Sequence, residues 1–222
     1  MKIPLTILAI VAVLMAVFYL LGPGPDPETL EPRSDLPWQA QPRPDGSLEV
    51  FDLVLGEATL GDAVAKFGAL EGLALFEPEN GPLALEAYFG DVQLGPLKAK
   101  VVVGLEAAQA ELEAMRASSP GREGSPTGDW KHKLPGGPEA YLERRLSVIG
   151  FIPATRRLDR DFFRARFGEP AARLQENEHA TSWFYPRLGL AVLIDDKASE
   201  VMEFQPPRNF TLPEGATPNP AY

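Results

Sequence analysis

Two histidines, His132 and His179, are the candidates of this chain for proton transfer near neutral pH. His179 follows Glu176 and Glu178 at a predicted turn, and two carboxylates could raise its pKa and make it a general base or a metal ligand. The same three residues are equally typical of a solvated hairpin. His132 stands between two lysines in a Gly- and Pro-rich stretch, which favours a surface position.

The sequence lacks the motifs of several other chemistries. No serine stands in a Gly-x-Ser-x-Gly frame, no Gly-Lys-Ser/Thr phosphate loop occurs, and the chain has no cysteine. A chain without cysteine has no thiolate nucleophile, no disulfide and no Cys-based metal site. Asp195 and Asp196 are predicted at a hairpin tip, where aspartate is more often a turn former than a calcium ligand. We therefore expect no enzyme, no cofactor and no metal site.

An arginine-rich stretch is the better candidate for binding. The formal net charge of −10 argues against nucleic acid and anionic lipid as general partners. Residues 144–173 nevertheless hold eight arginines against three carboxylates. Guanidinium groups on one helix face can bind the carboxylates or phosphates of a partner, or can pair internally with Asp161 and Glu169. The candidate partner-binding residues are Arg156, Arg157, Arg160, Arg164, Trp183 and Tyr185.

The two aromatic candidates depend on the orientation of one strand. Trp183 and Tyr185 alternate with Phe184, so either this pair or Phe184 faces away from the core. An exposed pair near the arginines would form an anchor for a partner. A buried pair would belong only to the core.

The elements that position these residues show an internal repeat. Residues 51–68 (FDLVLGEATLGDAVAKFG) and 151–168 (FIPATRRLDRDFFRARFG) have equal length and share their first Phe and their final Phe-Gly. Thr59 and Asp159 match as helix N-caps, and the Phe-Gly pairs mark the helix ends. The matched positions are few, so a chance similarity is the alternative. Strands are predicted after these helices at residues 73–76, 83–89, 98–103, 181–185, 190–194 and 201–204.

The first 22 residues predict a membrane anchor. Residues 3–21 carry no charge, and twelve of these nineteen residues are Leu, Ile, Val or Phe. At about 1.5 Å per residue the helix covers roughly 28 Å, close to the thickness of a hydrocarbon core. Lys2 precedes the segment and acidic residues follow it, which predicts a cytoplasmic N-terminus and a periplasmic domain at a bacterial inner membrane. The alternative is a cleaved signal peptide, whose apolar region is usually shorter.

The predicted fold class is α+β, with one N-terminal transmembrane helix and an extracytoplasmic domain of two tandem strand-helix-antiparallel-sheet units. Further helices are predicted at residues 105–116 and 139–146. The predicted boundaries are a transmembrane anchor at 1–22, a Pro-rich spacer at 23–46, a first α+β unit at 47–117, a flexible loop at 118–138, a second α+β unit at 139–205 and a Pro-rich tail at 206–222.

Part of the second unit resembles a known family. The turn Phe167-Gly168-Glu169-Pro170 is followed by Trp183-Phe184-Tyr185 and by two further predicted strands. Over residues 158–204 this order is similar to the small periplasmic domains of the BamE/SmpA type. The resemblance implies a non-enzymatic envelope protein that braces a larger membrane assembly. The chain departs from that family in having no N-terminal cysteine for lipidation and in showing two units instead of one.

These patterns predict a membrane-tethered, extracytoplasmic interaction or accessory subunit of a membrane complex, without catalytic activity. One alternative is a periplasmic binding module for a small anionic ligand, held between the two units by Arg160 or Arg164. A hydrolase that uses His179 is a further alternative. The expected partners are the membrane and a membrane protein, and nucleic acid is not expected.

Overall fold

Strands provide most of the regular structure of the chain. The computed structural model describes residues 36–79, 81–124, 129–154 and 158–220, which belong to one compact unit, Ser34–Tyr222. Strands hold 41% of the described residues, and helices, with short 3₁₀ turns included, hold 21%. The α-helices of these residues are short: α1 is Leu60–Phe67, α2 is Gln109–Ala117 and α3 is Arg160–Phe167.

The strands form a small and a large antiparallel sheet. The small sheet consists of β1 (Gln41–Pro42), β2 (Leu48–Val50) and β3 (Leu53–Leu55). The main sheet consists of β4 (Gly72–Glu77), β5 (Ala84–Leu94), β6 (Leu97–Leu105), β7 (Arg122–Gly124), β8 (Trp130–His132), β9 (Leu146–Pro153), β10 (Ala172–Gln175), β11 (Ala180–Tyr185), β12 (Leu190–Asp195), β13 (Val201–Phe204) and β14 (Thr217–Pro218). Its eleven strands lie in the order β14-β10-β11-β12-β13-β9-β6-β5-β4-β8-β7.

The predicted fold class is wrong, because the protein is mainly β and its two helix-and-meander segments share one sheet. Strand β9 pairs with β6 on one side and with β13 on the other, so Phe151 lies between Val101 and Met202. Unpaired edge strands expose rows of N–H and C=O groups, and the pairing of β9 with β13 satisfies both edges. The prediction gave the helices too much weight, since each contributes only two to three turns.

The prediction of a transmembrane helix also needs correction. Within the described ranges the longest helix has nine residues, and none is long and apolar enough to cross a bilayer. The expected single-pass anchor therefore has no counterpart among these helices. Its own residues, 1–22, lie outside the part of the chain that the structure describes.

Helices α1 and α3 begin and end at the predicted residues. The Thr59 hydroxyl accepts a hydrogen bond from the Asp62 N–H at 3.3 Å, and the Asp62 carboxylate accepts one from the Thr59 N–H at 2.8 Å. Asp159 caps α3 by accepting from the Phe162 N–H at 2.8 Å. Both helices end at a glycine with positive φ, where a Cβ would be strained. The cap and stop predictions are confirmed.

Several segments with loop-like composition form regular structure. Residues 118–138, predicted to be a flexible loop, contain the β7–β8 hairpin, which extends the main sheet beside β4. The predicted tail supplies β14, which pairs with β10. The helix predicted at 105–116 begins only at Gln109, and the one predicted at 139–146 is a 3₁₀ turn at Pro138–Tyr141, because Leu105 and Leu146 pair with each other in β6 and β9.

The core lies on one face of the main sheet, which we call the covered face. The small sheet packs there through Phe51, which is fully buried and stacks on Phe151 with ring centroids 5.4 Å apart. Phe67 of α1 lies 5.8 Å from Phe51. Phe167 of α3 lies 5.8 Å from Tyr185 of β11. The covered face is therefore sealed by α1, α3 and the small sheet.

A packing demand fixes the turn between β2 and β3. Phe51 and Asp52 both have positive φ, 56° and 61°, as in the two-residue hairpin turn that usually takes Asn-Gly. An aromatic residue is unusual at such a position. Burial of the Phe51 ring offsets the backbone cost, and Lys66 of α1 holds Asp52 by an ion pair of 2.6 Å.

The opposite face of the main sheet, which we call the open face, is made by the alternate side chains of the same strands. Helices α1 and α3 and the small sheet lie on the other side. Apart from Gly104, the open-face residues of the four central strands are half-buried or exposed. They are Glu86, Tyr88, Lys100, Val102, Gly104, Val148, Gly150, Ile152, Val201 and Glu203.

Candidate functional site

The predicted arginine cluster is largely occupied by carboxylates of the same chain. Arg164 makes ion pairs with Asp161 at 3.1 Å and with Glu169 at 2.7 Å. Arg173 binds the other oxygen of Glu169 at 2.6 Å. Arg160 lies 3.5 Å from Asp196. Arg156 and Arg157 lie outside the described residues.

Trp183 and Tyr185 point to the covered face and are buried. Trp183 is 2% exposed and Tyr185 is fully buried. The guanidinium carbons of Arg164 and Arg173 lie 5.3 and 5.0 Å from the Trp183 ring centroid. The Tyr185 hydroxyl donates to the Gly168 carbonyl at 3.2 Å. The structure thus joins Arg164 to Trp183, but in a contact that closes the core and leaves no aromatic surface for a partner.

Phe184 is also buried, although it points to the open face. It is 7% exposed and pairs with Ala172 on β10 and Ala191 on β12. The strand β11 therefore presents large side chains to both faces, which the alternation rule alone does not predict.

His179 contacts a cation instead of the predicted carboxylates. Its Nε2 lies against the ammonium group of Lys197. Glu176 accepts a hydrogen bond from the Ser182 hydroxyl. The predicted role of His179 as a general base rested on a carboxylate beside its ring, and the contact found there is with Lys197.

His132 is buried instead of lying at the surface. It is 5% exposed, in strand β8, and its Nε2 lies 2.7 Å from one oxygen of Glu77. Arg116 of α2 donates to the other oxygen of Glu77 at 2.7 Å. Both contacts lower the pKa of Glu77, with the His132 hydrogen bond as the larger cause. This group ties α2 and the β7–β8 hairpin to β4.

The acidic turn after β12 behaves as a turn former, as the sequence predicts. The Asp195 carboxylate accepts from the N–H groups of Lys197 at 2.7 Å and Ala198 at 3.2 Å. In the described part of the chain no group of three or more His, Asp or Glu side chains is arranged to hold a metal ion.

The open face contains a trough across its four central strands. Its floor consists of Val102 and Gly104 on β6 and of Val148 and Gly150 on β9, with Val102 opposite Gly150 and Gly104 opposite Val148. We call this floor, with its borders on β5 and β13, the central trough. A shallow cavity of about 180 Å³ adjoins it beside Tyr88. Glycine within a strand often marks a place where another backbone approaches closely.

Each border of the central trough carries one carboxylate. Glu86 on β5 lies opposite Gly104, and Glu203 on β13 lies opposite Gly150. Burial raises the pKa of Glu86, with smaller contributions from the negative charges of Glu203 and Asp129. Burial also raises the pKa of Glu203, whose carboxyl lies over the sheet although the residue as a whole is exposed. The repulsion between Glu86 and Glu203 shows that both carboxylates act on the same region.

The sequence search missed this pair of carboxylates. Charge clusters drew attention to the arginines, whereas Glu86 and Glu203 are isolated within apolar strand segments and are far apart in the sequence. The sequence offered two signals. One is a lone charged residue between apolar ones in a predicted strand, as in Leu-Glu-Ala-Tyr from Leu85, and the other is Gly104 directly after the predicted strand at 98–103. Such positions mark polar or close-approach sites on one sheet face.

No protein-family model matches the chain, and no curated protein or solved structure matches it. The resemblance of residues 158–204 to BamE/SmpA-type domains therefore stays a prediction.

Proposed function

We propose that this protein is a non-catalytic interaction subunit that binds a partner protein through the open face of its main sheet. The supporting observation is the central trough: a glycine- and valine-lined floor that α1, α3 and the small sheet leave uncovered. Half-buried apolar side chains at the centre of a large sheet, with no described element packed over them, favour an interaction site. The identity of the partner and the predicted extracytoplasmic location stay predictions.

The alternative functions receive less support from the geometry. An anion-binding role needs guanidinium groups free to bind a ligand, but Arg160 and Arg164 lie against carboxylates of the same chain. A hydrolase that uses His179 was predicted from neighbouring carboxylates, and this ring lies against Lys197. The surroundings of these arginines therefore do not favour anion binding, and those of His179 do not favour hydrolysis, over binding at the open face.

Site-specific photo-crosslinking in the cells that produce the protein tests this proposal. A photo-crosslinking amino acid at Val102 or Val148 places the reactive group on the floor of the central trough. The same amino acid at Glu49 or Glu143 serves as the control, since both residues are exposed and lie outside the open face. We expect one discrete adduct from the floor positions and none from the controls. Equal adducts at all four positions, or none at the floor, would refute the proposal.

A further inference from the structure

Glu86 and Glu203 are two carboxylates whose charge no described residue neutralises by a direct contact. In the described part of the chain neither makes a side-chain hydrogen bond or an ion pair. Burial is the larger cause of the raised pKa of Glu86, and the negative charges of Glu203 and Asp129 add a smaller repulsion. A partly desolvated charge without a counter-charge is unfavourable. A cation supplied by a partner would offset the repulsion and part of the cost of desolvation.

The distance between the two borders indicates the size of that partner. Three strand spacings separate β5 from β13, which at about 4.8 Å each gives about 14 Å. An α-helix with its side chains is about 10–12 Å wide. The backbone of the central trough is therefore wide enough for one helix to lie between β5 and β13.

The floor has the chemistry that a close-packed helix requires. Val102, Val148 and the two glycines present no polar side chain to an incoming helix. A Cβ at Gly150 would meet no atom closer than 3.7 Å, so the surface above this residue is unfilled. Gly104 has a different role, since a Cβ there would lie 2.5 Å from the Val148 side chain. Small residues on the floor allow the axis of a helix to approach the sheet.

We infer that the central trough binds an amphipathic helix of a partner protein whose apolar stripe is bordered on both sides by Lys or Arg. The apolar stripe packs on Val102, Val148 and Gly150, and the basic borders pair with Glu86 on one side and Glu203 on the other. This inference rests on the proposed function and names the chemical class of the partner. A net charge of −10 on the chain favours the approach of such a basic segment.

Binding of synthetic helices to the full-length chain tests the inference. The probe is a peptide of about 18 residues, long enough to form a helix, with an Ala/Leu stripe bordered by Lys on both sides. Two matched peptides carry Glu in place of each Lys, or the same composition in shuffled order. Fluorescence anisotropy should show binding of the Lys-bordered peptide that weakens with salt, and none of the Glu-bordered peptide. Equal binding of the shuffled peptide would overturn the inference.

Variants assign the binding to the two carboxylates. The double variant Glu86→Gln/Glu203→Gln should weaken binding of the Lys-bordered peptide about tenfold or more, as expected for loss of two charge pairs. The control Glu49→Gln/Glu143→Gln changes the net charge equally at exposed residues outside the trough, and should change the affinity less than twofold. Gly150→Ala should weaken binding without loss of the fold, because its new methyl group occupies the floor.

The outcomes separate this inference from the proposed function. Equal loss of affinity in the two double variants would show only a net-charge effect and would overturn the inference. Photo-crosslinks at Val102 and Val148 without binding of the Lys-bordered peptide would also overturn it, while leaving the proposed interaction function intact. Absence of the floor crosslinks would remove the proposed function itself.

Discussion

Two groups of charged residues on the main sheet differ in whether described residues of the chain supply a counter-charge. Around Trp183, Glu169 joins the guanidinium groups of Arg164 and Arg173, and the cations lie over a buried ring. We call this group the arginine cluster. Glu86 and Glu203 instead lie on the open face with no counter-charge in the described residues. The dense cluster closes the core, whereas the sparse pair is left for an external partner.

The difference shows that density of charge in a sequence is a poor guide to binding. Charges that are close in sequence and of both signs find partners within the chain, as the residues around α3 do. A lone carboxylate between apolar residues of a strand has no such partner nearby. The absence of a counter-charge beside such a carboxylate becomes visible only when the face and the register of each strand are known.

Loss of the buried indole is expected to have the largest effect on stability. Trp183→Ala removes a side chain that is 2% exposed and lies beneath Arg164 and Arg173. Large-to-small substitution of a buried aromatic costs about 3–5 kcal/mol. Urea denaturation followed by circular dichroism measures this cost. A loss below about 1 kcal/mol would mean that the ring is not part of the core, and the arginine cluster would then not differ from Glu86 and Glu203 in closing the core.

The carboxylate of Glu77, in the same sheet as Glu86, is bound by side chains of the chain itself. Glu77→Gln weakens the hydrogen bonds to the buried His132 and to Arg116. A buried polar group left poorly paired costs about 1–3 kcal/mol, so we expect a loss of this size at neutral pH. Denaturation of the variant and the wild-type protein in parallel measures the difference.

The pH dependence of this loss has a definite sign. The pKa of Glu77 is lowered in the folded protein, so its stabilisation is fully present above the ordinary carboxyl value, about 4.3. It is lost as the pH falls through the lower folded pKa. The wild-type protein and Glu77→Gln should therefore converge in stability in acid. A difference that stays constant from neutral to acidic pH would argue against an ionic role.

A smaller effect is expected at the exposed part of the arginine cluster. Glu169→Gln weakens two ion pairs whose side chains are about half exposed. Solvent screens such pairs, so the expected loss is about 0.5–1 kcal/mol, and added salt should reduce it. Asp161→Asn serves as a matched control, because Asp161 is more exposed and, among the described residues of this cluster, pairs with Arg164 alone. A larger loss from Asp161→Asn would contradict this ranking.

Local signals predicted the helices well and the sheet only in part. The caps Thr59 and Asp159 and the stops Gly68 and Gly168 were all readable, because each depends on residues within one or two turns. The joining of the two halves through β6 and β9 was not readable. It depends on pairing between residues about fifty positions apart, for which an isolated strand carries no local signal.

The candidate site was the least predictable part. Arg164 and Trp183 were both predicted as candidate partner-binding residues, with the exposure of Trp183 left open, and the strand direction that buries Trp183 is set by packing against α3. His132 was expected at the surface because of its Gly- and Pro-rich surroundings, and pairing of β8 with β4 buries it. In both cases tertiary packing decides the exposure of a side chain, and composition does not.

The smallest expected effect has the opposite sign and tests the open face directly. Glu86→Gln/Glu203→Gln removes two carboxylates whose pKa values are raised in the folded protein. Such groups destabilise the fold when ionised, so the wild-type protein loses stability as the pH rises from the ordinary carboxyl value, about 4.3, through the higher folded values. The double variant should therefore be slightly more stable than the wild-type protein at neutral pH and equally stable near pH 4, measured by urea denaturation. Destabilisation at neutral pH would mean that the carboxylates stabilise the fold, and they would then belong with the arginine cluster instead of marking a binding surface.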